Sequence, residues 1–141
     1  MIFKTWLLNG LFHSAPGYLS IEGDEISFTL IDTGTFGRKK LDLVVGKKGA
    51  FEQISEGREF EVFRTQRSGA NFHSPWYMFM GGGVLTLGNG THKLSFMQPQ
   101  NTKFPYQRLG IIRESDITDF KDGRELGKRF NAFINNKNSP W

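Results

Sequence analysis

Apolar and polar positions alternate with a period of two through most of the first hundred residues, and the alternation is broken by short turn signals. The clearest case is residues 17–30, GYLSIEGDEISFTL. Gly23-Asp24 forms a two-residue turn of the kind that takes positive φ. Folding there sets Ile21 opposite Ile26, Leu19 opposite Phe28 and Gly17 opposite Leu30, while Ser20, Ser27 and Thr29 fall on the other face. A slip by one residue would scramble both faces, so this register is well specified. Further on, Leu41, Leu43 and Val45 alternate as a third strand. In REFEVFRT, Phe60 and Val62 lie on one side and Glu61 and Phe63 on the other, and SPWYMFM reads as an aromatic strand. In VLTLGNGTHKLSF the turn signal is Asn89-Gly90, which would pair Leu87 with His92, Leu85 with Leu94, Thr86 with Lys93 and Gly83 with Phe96. Leu19, Ile21, Ile26, Phe28, Leu85, Leu87, Leu94 and Phe96 are thereby expected in the core.

The pattern changes after residue 113. Leu126, Phe130, Phe133 and Ile134 recur at helical spacing, Asp122 is placed to cap the helix with Glu125 three residues on, and Arg129 and Lys137 lie toward its C-terminal end. The expected plan is mainly β with a C-terminal α-helix: a barrel of about seven antiparallel strands over residues 17–113, capped by one helix in 114–136. Residues 1–16 form an N-terminal segment, helix or strand, within a single domain of 141 residues. The opening MIFKTWLLNGLFHSAPG has a faint look of a signal peptide. Asn9-Gly10 breaks its apolar core, however, and Pro16 would follow the cut, so Phe3, Trp6, Leu7, Leu11 and Phe12 are read as part of the domain and the expected location is cytoplasmic.

Composition narrows the chemistry. The absence of cysteine removes disulfides and thiolate zinc sites from consideration. The 14 phenylalanines suit strands and a barrel core, and the 17 glycines suit tight turns. A net charge of +4 permits contact with an anionic surface without requiring it. No apolar run approaches the ~20 residues needed to span a bilayer as a helix. The three consecutive glycines 81–83 invite comparison with a phosphate-binding loop, but that loop needs a helix directly after the glycines, and here a strand follows. They are read as a bend, a bulge or a close approach of backbones.

Seven strands followed by a helix, carried by GYLSIEGDEISFTL, VLTLGNGTHKLSF and GRELGKRFNAFI, resemble the pleckstrin-homology-like (PH-like) superfold, including its bacterial PH-like domains. The resemblance spans roughly residues 17–135 and implies two bent sheets with the helix plugging one end, GYLSIEGDEISFTL being the opening hairpin. Eukaryotic members typically close with a helical tryptophan, where this helix offers Phe130. The resemblance also implies phosphoinositide-binding basic residues on and after the first strand, but the matching turn here is the acidic Glu22-Gly23-Asp24-Glu25.

The remaining basic clusters are Arg38, Lys39 and Lys40 before the expected third strand and Lys47 and Lys48 after it, roughly 20 Å apart along an extended chain. They are candidates for a weak anionic-surface contact. His13, His73 and His92 lack metal-ligand spacing, and no nucleophile elbow is present. Glu56, Glu59 and Glu61 read as a solvated turn. Trp76, Tyr77 and Phe79 beside Arg64 and Arg67 have the composition of a base-stacking surface, but alternation would bury half the rings, so nucleic acid is not an expected partner. No catalytic residue, cofactor or metal is expected. The expected role is a non-enzymatic binding module presenting a sheet edge or loop rim to a protein partner or, weakly, to an anionic surface. The alternative is a β-barrel holding a small apolar ligand in a Phe-lined cavity.

Overall fold

The computed structural model describes residues 1–78, 81–119 and 122–141. The chain runs β1 (Ile2–Asn9), β2 (His13–Glu22), β3 (Glu25–Leu30), α1 (Arg38–Val45), α2 (Ala50–Ser55), β4 (Phe60–Gln66), β5 (Asn71–His73), β6 (Gly82–Leu87), β7 (Gly90–Ser95) and α3 (Gly123–Asn135). The seven strands form one antiparallel sheet in the order β4-β3-β2-β1-β7-β6-β5, and α3 follows as the C-terminal helix.

The β2–β3 hairpin has the register its alternation requires: Gly17 faces Leu30, Leu19 faces Phe28 and Ile21 faces Ile26 across a Gly23-Asp24 turn with Gly23 at φ 59°. It does not open the sheet. The segment 1–16 supplies β1 and the start of β2, paired from Ile2 with Ser20 to Asn9 with His13. Phe3, Thr5 and Leu7 point into the core because the period of two puts them on one face, and Trp6 stands on the other.

The third expected strand is a helix. Leu41 and Val45 are buried and four residues apart, one turn of α1, while Leu43 between them is 77 % exposed. A run of two alternating leucines and a valine satisfies either period, and the tight turn at Gly46 closes this one as a helix. The aromatic stretch 74–80 is not a strand over its described part. Trp76–Met78 is a 3₁₀ turn that follows Pro75, with Trp76 and Tyr77 exposed, and Phe79 lies outside the described residues.

The β6–β7 hairpin keeps its predicted faces but not its pairing. Leu85, Leu87, Leu94 and Phe96 are buried, yet Leu85 faces His92, Gly83 faces Leu94 and Leu87 faces Gly90. The turn is Gly88-Asn89, one residue earlier than expected, so the partners shift by two and the inside stays inside. The glycines select this register. A Cβ on Gly82 would sit 2.5 Å from the Leu94 carbonyl oxygen, and one on Gly83 would sit 2.5 Å from that of His73. A Cβ on Gly81 would lie 2.4 Å from the Gly123 backbone, so the three glycines let β5, β7 and α3 approach at once, as a close contact of backbones.

The sheet curls without closing into the expected barrel. Strands β4 and β5 remain its two edges. Across the opening, the Phe63 ring of β4 stacks on His92 of β7 at 5.3 Å. Helix α3 fills the hollow: Phe130 meets Phe72 edge-on at 4.9 Å and Phe96 at 5.3 Å, and Leu126, Phe133 and Ile134 complete its buried stripe. Arg67, between β4 and β5, is buried against Phe133 and donates to the Phe133 carbonyl at 3.1 Å, while Lys137 donates to those of Arg67 and Ile134 at 2.6 Å. The outer face is covered as well. Trp6, Tyr18 and Ile31 pack with Phe104 from the long connection between β7 and α3, and Leu109, Ile112 and Ile117 close over them.

Candidate binding rim

The turn between β1 and β2 is residues 10–12, Gly-Leu-Phe. Gly10 takes φ 71°, and the turn leaves Leu11 90 % and Phe12 74 % exposed. Large apolar side chains this exposed to water are common singly, but two adjacent ones at a hairpin tip place most of their apolar area in solvent together. The tip is held rather than loose. Thr35 donates its hydroxyl to the Phe12 carbonyl at 2.8 Å and accepts the Ser14 amide at 2.9 Å, the Thr35 amide donates to Ser14 O at 2.9 Å, and the His13 ring lies 5.5 Å from that of Phe36. On the other flank the Asn101 side-chain amide donates to Phe12 O at 3.3 Å, and the Ser14 and Thr102 hydroxyls bond each other.

These contacts bring the segment 33–37, and with it the start of α1, beside the apolar tip. Arg38, Lys39 and Lys40 are exposed on that first turn, with no acidic residue among them. Lys103 is exposed on the opposite flank, one residue beyond Thr102. The other two candidates, Lys47 and Lys48, are exposed past the far end of α1, where Lys47 lies 5.5 Å over the Phe60 ring near β4. Because α1 is a helix, its eight residues span about 12 Å at a rise of about 1.5 Å per residue, not the roughly 20 Å of an extended strand. Arg38, Lys39 and Lys40 thus stand at the end of α1 that follows the Thr35–Phe36 contacts with the β1–β2 turn, with Arg38 5.8 Å over the Phe51 ring, and Lys47 and Lys48 stand past its other end.

The other candidate groups find separate partners. Glu59 accepts from the Tyr18 hydroxyl at 2.7 Å and from the Gly110 amide at 2.9 Å, while Glu56 pairs with Arg58 and Glu61 with Arg64. Burial first, and the Glu59 carboxylate second, hold the Tyr18 phenol well above its ordinary pKa. The acidic β2–β3 turn is matched from within the molecule, Asp24 by Arg67 at 2.9 Å and Glu25 by Arg64. Arg64 and Arg67 are thus committed to ion pairs and do not accompany Trp76 and Tyr77. His92 is buried with its Nδ1 unpaired, and loss of water pushes its pKa below the usual imidazole value. His13 and His73 lie elsewhere, and among the described residues no three His, Asp or Glu side chains converge as metal ligands.

The sequence reading took Leu11 and Phe12 as part of the domain and did not place them among the candidate binding residues. The signal was present: Asn9-Gly10 is itself a hairpin dipeptide, set between two alternating runs. No protein-family model, no curated protein and no solved structure matches this chain.

Proposed function

We propose that the protein is a non-enzymatic binding module of PH-like architecture that docks on an anionic surface, an acidic lipid bilayer, through the β1–β2 tip and the first turn of α1. The seven antiparallel strands, β1–β4 and β5–β7 joined through β1 and β7, followed by a C-terminal helix, support the PH-like reading. The observation that carries the docking role is the pairing of an exposed Leu11-Phe12 with the unneutralised Arg38, Lys39 and Lys40. Inserting both apolar side chains is worth about 1.5–3 kcal/mol each, and each cation near an acidic membrane adds about 1 kcal/mol. The apolar share is insensitive to salt, so binding should weaken, without vanishing, between low and physiological ionic strength.

Sedimentation with phosphatidylserine-containing and with purely phosphatidylcholine vesicles tests this. Binding to the first, lost in the double variant Leu11→Ser, Phe12→Ser and reduced in Lys39→Glu, Lys40→Glu, is the expected result. Binding unaffected by both variants, or equal on both vesicles, would remove the proposal.

A second reading, a protein partner adding a strand, is favoured by one specific feature. The β5 edge is covered at Phe72, whose amide and carbonyl both bond the Asn135 side chain at 3.2 and 2.8 Å, whereas β4 pairs with β3 alone.

A further inference from the structure

The outer face of β2, β3 and β4 is polar where the inner face is apolar. The period of two places Tyr18, Ser20 and Glu22 of β2 on it, and the register sets Ser20 opposite Ser27 and Tyr18 opposite Thr29 of β3. On β4, Arg64 lies opposite Ser27 and Glu61 opposite Thr29. The connection between β7 and α3 runs beside this face. It is pinned by Arg108 on Asp32 at 2.9 Å and by the Gly110 amide on Glu59 at 2.9 Å, and Ile111 and Ile112 follow directly.

A cavity of about 430 Å³ lies between this connection and the sheet, within the size range of small-ligand pockets. Ser20, Glu22 and Ser27 line it with polar groups, and Ile2, Ile111 and Ile112 with apolar surface. Most of its other polar lining is already engaged. Arg64 pairs with Glu25 and Glu61, and the two oxygens of Glu59 accept from the Tyr18 hydroxyl and the Gly110 amide. The Glu22 carboxylate and the Ser20 and Ser27 hydroxyls, by contrast, have no hydrogen bond or ion pair among the described residues. Ser27 is only 4 % exposed. The unpaired side-chain polar atoms sealed from solvent are Trp6 Nε1 and His92 Nδ1, so the Ser27 hydroxyl is unpartnered yet open to the cavity. A hydroxyl buried that far without a partner is costly, which points to a ligand that bonds it.

We propose that this cavity binds a primary alkylammonium group. Facing residues of an antiparallel pair carry their Cβ atoms about 5 Å apart, so one nitrogen set between Ser20 and Ser27 reaches both hydroxyls at ordinary hydrogen-bond length. An ammonium has three donors and no acceptor, one donor each for Ser20, Ser27 and the Glu22 carboxylate two residues along the same face. The alkyl chain lies against Ile2, Ile111 and Ile112. The carboxylates of Glu22, Glu59 and Glu61 against the single guanidinium of Arg64 leave the lining net negative, which disfavours carboxylate and phosphate ligands. No three His, Asp or Glu side chains converge as metal ligands among the described residues, so the donor set fits an organic cation. The site lies at the Glu22 end of β2, and the apolar tip lies beyond its His13 end, so the two are tested separately.

The test is a titration of the full ¹⁵N-labelled chain at neutral pH with n-butylamine, which is protonated there, and with n-butanol, its uncharged counterpart. The amine should shift the Ser20, Glu22 and Ser27 amide resonances saturably, and butanol should bind roughly tenfold more weakly, about the effect of one charge-assisted hydrogen bond. Glu22→Gln, at an exposed position, should lower affinity for the amine to near that for butanol while leaving the thermal melt intact. Ser27→Ala removes a hydroxyl that bonds nothing within the protein, so it should weaken amine binding without loss of stability. Putrescine and Nα-acetyl-lysine methylamide present the ammonium as a free polyamine and as a lysine side chain, and the tighter binder identifies the source. No saturable shift at Ser20 and Ser27 with n-butylamine, equal affinity for n-butylamine and butanol, or an affinity that Glu22→Gln leaves unchanged would overturn the proposal.

Discussion

Helix α3 begins at Asp122, whose carboxylate accepts the Arg124 amide at 2.9 Å, and Glu125 adds a second negative charge in the first turn. Its last carbonyls meet Arg67 and Lys137. Helix α1 begins at Gly37, with no side chain bonded to its first turn, and places Arg38, Lys39 and Lys40 where the macrodipole is positive. Thirteen residues with both ends electrostatically matched face eight residues with the N-terminal end mismatched. Both helices bury an apolar stripe, so packing explains why each forms. Packing does not explain three cations at the unfavourable end of the shorter one. Charges that weaken the element carrying them are accounted for more simply by what they contact outside it.

The comparison is broken most directly at the packed stripes. Phe130→Ala should destabilise the protein by about 3–5 kcal/mol, read by denaturant unfolding, because the ring is fully buried between Phe72 and Phe96. A change below about 1 kcal/mol would mean that α3 is peripheral to the fold. The equivalent cut in α1, Leu41→Ala, should cost about 2–3 kcal/mol, since Leu41 is also fully buried but its helix covers one margin of the sheet. Leu43→Ala should stay within about 0.5 kcal/mol. Equal costs at Leu41 and Leu43 would contradict the helical placement of this segment.

The two helices also differ in how much of them the sequence discloses. Helix α3 carries a cap, an acidic first turn and four apolar residues at a spacing no strand shares. Helix α1 is too short for its period to be decided: Leu41, Leu43 and Val45 alternate, and Leu41 and Val45 are also one turn apart. The same limit appears in the hairpins. In β2–β3 one glycine is placed to turn, and the pairing follows. In β6–β7 the run Gly88-Asn89-Gly90 offers two turns, and a shift by two leaves every side chain on its own face, so alternation is blind to it. The deciding contacts, of Gly82 and Gly83 with β7 and β5, are between residues that no local pattern relates. Strand number came out at seven although two members were misassigned, because β1 and β5 took the places of residues 41–45 and 74–80. The rim was half legible: the cations were visible as a cluster, but the exposed apolar pair belongs to a turn that ends 26 residues before Arg38, linked to that part of the chain through Thr35 and Phe36.

The smallest expected effect separates the two helices most sharply. Lys39→Glu replaces an unfavourable charge with a favourable one in the first turn of α1, where each such interaction is worth about 0.3–1 kcal/mol at low salt. Lys39 is exposed and makes no ion pair among the described residues, so no contact is lost in exchange. The variant should unfold at slightly higher denaturant, and the gain should shrink as salt is raised, because an exposed charge is screened over ~8 Å at physiological ionic strength. The same variant should bind acidic vesicles more weakly. The corresponding reversal in α3, Glu125→Lys, should lower stability and leave vesicle binding unchanged, since that turn lies by the Ile2 end of β1, away from the tip. A Lys39→Glu protein that is less stable, or that binds vesicles as tightly as before, would show that the cations of α1 serve the fold after all.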